Sequence, residues 1–148
     1  MGFHFTVAAV LRYRQSLEER EELGLHGLLA RRATLLQELE QARDVRHQLR
    51  TVLHRTLQQA ALPAAEVQFA MAQLHGMERQ QTLLQSRLLA LASEISQQMA
   101  RYRQARQKRQ VLESLREVQW REYQGKQRRR EQATLDELHL LRRGRRQA

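Results

Sequence analysis

Six histidines are the first residues here that could do chemistry: His4, His26, His47, His54, His75 and His139. An imidazole can hold a transition metal or move a proton near neutral pH. Only His47 and His54, seven apart, have the spacing to share a helix face. No carboxylate stands three or four residues from both, and the chain has no cysteine to complete a ligand set. Surface histidine is therefore the expected role, and no metal is expected. The serines Ser16, Ser86, Ser93, Ser96 and Ser114 belong to no Ser-His-Asp constellation. Gly24 and Gly27 are followed by no Lys-Ser or Lys-Thr step, so no phosphate loop is present. The pairs Glu18-Glu19 and Glu21-Glu22 read as solvated charges on a helix exterior. Neither an enzyme nor a cofactor is expected, because a helical hairpin offers no pocket that excludes water.

The basic residues carry more information. The formal net charge is +10, which points to an acidic partner or to a solvated arginine-rich face. Three clusters stand out: Arg101 to Arg109, Lys126 with Arg128 to Arg130, and Arg142 to Arg146. Any of them could hold phosphates. Only Tyr102 stands among them, one ring where a base-stacking platform requires a series, and leucines accompany the C-terminal clusters instead. Apolar anchors among steering charges suit docking onto protein, and nucleic acid is not expected.

The elements that must position these residues are helices. Ala, Leu, Glu, Gln and Arg dominate and only 5% of residues are aromatic, the composition of a coiled coil. Pro63 is the one proline, and it can neither donate a backbone hydrogen bond nor fit inside a helix. The expected fold is all-α: a long antiparallel two-helix coiled-coil hairpin over 1–148. Helix one covers about 6–59, the turn about 60–66 and a longer helix two about 66–143. Thr6 is the expected N-cap and Gly144 the expected C-cap, with a frayed tail beyond. Leu25, Leu28, Leu35, Leu39, Ala42, Leu49, Leu53 and Ala60 form one seam, with Arg32, Arg46 and Thr56 in its gaps and Val10 and Leu17 on a shifted upstream seam. Leu74, Met77, Gln81, Leu84, Leu88, Leu91, Ile95, Gln98, Tyr102, Ala105, Arg109 and Leu112 form the other, drifting to Leu115 and Val118. Folding at Pro63 is expected to place Leu49 near Met77, Leu28 near Gln98 and Leu17 near Arg109. Residues 115–123 then lie beside the N-terminal segment, and the stretch with Arg128 to Arg130, Leu135, Leu138 and Leu141 is left unpaired. No apolar run approaches the ~18 residues that span a bilayer. Met1 to Leu11 is too short and too poorly flanked for a signal peptide, so a soluble cytoplasmic protein is expected.

Two stretches carry a family resemblance. The run Phe3-His4-Phe5-Thr6-Val7-Ala8-Ala9-Val10-Leu11-Arg12-Tyr13-Arg14 resembles the opening of the flagellar export protein FliJ family. The series Leu112-Glu113-Ser114-Leu115-Arg116-Glu117, Glu122-Tyr123, Arg130-Glu131-Gln132 and Leu135-Asp136-Glu137-Leu138 resembles that family's C-terminal run. The resemblance implies a component of the flagellar type III export apparatus, a coiled coil similar to the central stalk of rotary ATPases. Its open end would insert into the export ATPase ring and favour the hexamer and its activity. It would also contact the cytoplasmic linker of the export-gate protein FlhA and escort export chaperones, at the inner membrane of the flagellar base. The residues that would bind the ATPase ring are Phe3, Phe5, Leu11, Arg12, Leu115, Arg116, Trp120, Arg121, Tyr123, Arg128, Asp136 and Leu138. Those that would bind the gate are Leu49, Leu53, Phe69, Leu74 and Met77. Plain alternatives stand beside both sets: Trp120 packing on Val7 or Val10, and the gate set packing in the seam with Phe69 alone exposed. Gly125 stands where a longer polar residue is common in the family. Competing readings are the equivalent stalk of a virulence injectisome, a basic coiled coil binding nucleic acid or anionic membrane, and a holdase for helical clients.

Overall fold

The computed structural model describes residues 2–59 and 63–147. Two helices, α1 (Ala8–Gln59) and α2 (Ala64–Gln147), hold most of them, and no strand occurs among the described residues. The fold class is the all-α antiparallel helical pair that the sequence predicts, with α2 the longer.

The helix ends differ from expectation in informative ways. The first i to i−4 bond of α1 runs from the Leu11 N–H to the Val7 carbonyl, 3.0 Å. Val7 therefore occupies the cap position, and Thr6 lies one residue outside it. A backbone turn, Ala8 N–H to the Phe5 carbonyl at 3.1 Å, closes the approach. Ala60, Ala61 and Leu62 of the expected turn lie outside the described residues. Pro63 stands directly before α2, its carbonyl accepting from Glu66 at 3.0 Å and Val67 at 3.4 Å. The helix thus starts at Ala64, earlier than expected, because the first helical turn needs no N–H from proline. At the other end α2 continues through Gly144 to Gln147. No described glycine has positive φ, so Gly144 is a helical residue and not a C-cap. Arg145 and Arg146 fill the last turn, where cations complement the negative end of the helix dipole.

The chain divides into two compact units. The leucine unit, Arg20–Tyr102, is built on the predicted seams. Leu25, Leu91 and Ile95 form one buried cluster, with Leu28, Met99 and Tyr102 against it. Leu39, Ala42 and Leu84 form a second, and Leu35 packs against both. Rising numbers on α1 meet falling numbers on α2, so the segments are antiparallel. Every predicted α2 seam position from Leu74 to Tyr102 is buried or half-buried. Among the described residues of the main α1 seam only Arg32 is exposed; Arg46 is held in place by a 2.7 Å bond to Gln81 Oε1 and lies 3.8 Å from Glu78. No described residue is more than 98% buried, because two helices can enclose a stripe but not a centre.

Gln98, expected near Leu28, donates its amide to the Glu21 carbonyl at 3.0 Å and to the Glu21 carboxylate. It lies across Gly24, where an added Cβ would come within 2.9 Å of Nε2. Gly24 thus marks a close approach. Gly27 has open space around it.

The aromatic unit comprises the described residues up to Glu19 and those from Arg103 onward. Its buried residues are Phe5 and Leu11. The upstream seam therefore runs through Leu11 and Leu17, with Val10 exposed. Leu115 and Val118 are exposed too, so the α2 seam does not drift onto them. It passes instead through half-buried Gln119 and Tyr123.

Candidate functional site

Three aromatic rings from two segments meet in the aromatic unit. Phe3 sits edge-on to Trp120, centroids 5.0 Å apart and planes at 74°. Phe3 also lies 5.6 Å from Tyr123, which stacks on Trp120 at 5.6 Å and 21°. Trp120 and Tyr123 are three apart, so one turn of α2 puts both on one side. Phe3 reaches them from the non-helical segment that precedes the turn at Phe5. Such edge-on and stacked pairs contribute roughly 0.5–1.5 kcal/mol beyond their buried area. Trp120 keeps 41% of its surface exposed. Its ring partners are Phe3 and Tyr123.

Two open hollows flank Phe3 and share Arg116. Glu113, Glu117 and Trp120 complete the first. Phe5, Leu11, His4 and Arg12 are among those completing the second. Phe5 is 5% and Leu11 4% exposed, so of the residues expected to bind a ring these two form the floor. Arg12 and Arg116 are exposed at the rim. The remaining expected residues are not gathered here. Arg121 lies 4.0 Å from Glu117 on its own helix. Asp136 accepts from Gln132 at 3.0 Å. Leu115, Arg128 and Leu138 are exposed along α2, and every described residue from Arg128 onward is exposed.

Beside this surface lies an ion cluster that sequence reasoning assigned differently. Arg109 donates to Glu18 across the helix pair and to Glu113 one turn along, with a second bond to Glu18 at 3.3 Å. The Glu18 hydrogen bond, then Glu113, raise the Arg109 pKa above its ordinary value, while desolvation opposes them. Glu18 is thus not the solvated charge expected. The available signal was Arg109 itself, a cation on an apolar seam whose predicted neighbour, Leu17, adjoins Glu18.

The expected gate residues lie in the leucine unit and stay in its seam. Leu74 is 8% exposed, and Leu49, Leu53 and Met77 are half-buried. Phe69 alone is displayed, at 66%. Leu57 and Met71 border an open groove near Leu53 and Leu74 and were not singled out by the sequence. Glu78 stands between Arg46, Arg50 and His75, at 3.8, 3.7 and 3.6 Å.

Among the described residues, no group of three or more His, Asp or Glu side chains could hold a metal ion. None of the described helices is long and apolar enough to cross a membrane. No family model, curated protein or solved structure matches this chain.

Proposed function

We propose that this chain is a non-catalytic, stalk-like component of a flagellar type III protein export apparatus. In this reading the aromatic unit enters the ring of the export ATPase and favours its hexamer and activity. The leucine unit, through the exposed Phe69, meets the cytoplasmic linker of the FlhA gate, and the protein escorts export chaperones. It works in the cytoplasm, peripherally associated with the inner membrane at the flagellar base.

One observation carries the reading. The two stretches that bear the resemblance, distant in sequence, supply one surface: Phe3 packed on Trp120 and Tyr123, with Arg12 and Arg116 beside them. Half-exposed aromatics and arginines are the side chains that most often anchor protein interfaces. The test is co-elution of the purified chain with the export ATPase of the same organism. Stable co-elution that is lost in Trp120→Ala supports the reading, and separate elution at every salt concentration removes it.

A second reading is favoured by a different feature. Arg128, Arg129, Arg130, Arg142, Arg143, Arg145 and Arg146 are all exposed, as a polyanion-binding helix requires. That reading expects steeply salt-dependent binding to nucleic acid or anionic vesicles. Substitution of Trp120 would leave such binding unchanged.

A further inference from the structure

We propose that the hollow over Phe5 and Leu11 is a docking site for an acidic segment of a partner protein, one that presents a carboxylate together with an apolar side chain. The proposal deepens the export reading, since it names the chemistry of the partner at that same surface. Arg12 and Arg116 are exposed at its rim, and among the described residues neither makes an ion pair. They contrast with Arg109 and Arg121, which are answered by glutamates of their own chain. His4 adds a third donor, and no carboxylate lines the hollow among the described residues. A guanidinium presents a planar fork that fits a carboxylate with two parallel hydrogen bonds. Two such forks over an apolar floor select an acidic, partly apolar peptide.

A nucleic acid fits less well. Trp120 and Tyr123 already stack on one another and Phe3 meets Trp120 edge-on, so one face of each stacked ring is already covered. The adjoining hollow carries Glu113 and Glu117, which repel a phosphodiester chain and confine the anionic group of a ligand to the Arg12 side.

Trp120 is the only tryptophan and lines the adjoining hollow with Phe3 and Arg116, so its emission reports on occupancy. The full chain is titrated with a short synthetic peptide of glutamate and leucine. Parallel titrations use the same peptide with lysine for glutamate, polyglutamate, and a single-stranded oligonucleotide. The glutamate-leucine peptide is expected to saturate the signal. R12Q/R116Q is expected to bind it at least about tenfold more weakly, the scale of one lost charge-assisted bond. R142Q/R143Q is expected to stay within about twofold, since those charges act only through screened solvent. Circular dichroism checks that the variants keep their helix content, and R12Q and R116Q singly should each show part of the loss. The proposal is overturned if polyglutamate or the oligonucleotide binds as tightly as the mixed peptide, or if R12Q/R116Q binds it unchanged. No ATPase enters this titration, so the two claims fail separately. An ATPase bound equally well by R12Q/R116Q removes the docking site and leaves the export reading, whereas peptide binding without ATPase binding does the reverse.

Discussion

The leucine unit and the aromatic unit are made from the same two helices and bury different chemistry. In the leucine unit, seven aliphatic side chains are buried along a regular seam, which Arg46 interrupts singly through its bond to Gln81, while Arg50 and Glu78 lie nearer the surface. In the aromatic unit only Phe5 and Leu11 are buried, and the seam position of Arg109 is filled by an ion cluster. Aliphatic burial stabilises without direction, whereas an ion cluster and edge-on rings fix a geometry. The contrast teaches that the leucine unit supplies the stability while the aromatic unit presents a surface held in one shape.

Substitutions break or sharpen that contrast, the largest first. Leu91→Ala removes a side chain only 3% exposed. It should lower the unfolding free energy by about 2–4 kcal/mol, as a cavity-forming change does, measured by urea unfolding, with the peptide affinity of the aromatic unit kept in the folded protein. A loss below about 1 kcal/mol would mean that the seam is not the stabilising element. Arg109→Ala leaves Glu18 and Glu113 without their partner. About 1–2 kcal/mol is expected, less than for a fully buried pair because all three groups keep some contact with water, with the faster amide exchange appearing around Glu18 and not around Leu91. Trp120→Ala should cost only about 1 kcal/mol of stability yet reduce ATPase binding at least about tenfold. Equal binding by that variant would remove the aromatic surface from the account. The smallest effects separate two glycines. Gly27→Ala meets open space and should raise the melting temperature, with up to about 1 kcal/mol gained in helix propensity. Gly24→Ala displaces the Gln98 amide, and the lost bond of about 1 kcal/mol should cancel that gain.

The regular part of this molecule was legible because period and composition agree there. From Leu74 to Tyr102 the spacing of apolar residues alone identifies the side that α2 buries, since a helix repeats its face every three to four residues. The aromatic unit was legible only in part. Its segments were marked by resemblance and its register placed residues 115–123 beside the N-terminal segment, but the identity of the contacts was not readable. Val10 and Leu11 are adjacent and both apolar, and the expected seam took Val10 where the fold buries Leu11. Phe3 precedes the helix, where no periodicity applies. Glu18 looked solvated because an ion pair across two helices depends on register to within one turn. The helix ends were missed for a simpler reason: Gly144 permits a C-cap without imposing one, and Arg145 and Arg146 favour continuation.

The most direct test of the central claim is ATP hydrolysis by the export ATPase of the same organism, measured with and without this chain at near-physiological salt. The account predicts clear stimulation by the full chain, most of it lost in Trp120→Ala while Phe69→Ala still stimulates. Unchanged hydrolysis, together with tight and salt-sensitive binding to DNA or anionic vesicles, would contradict it and leave the exposed arginines as the functional surface.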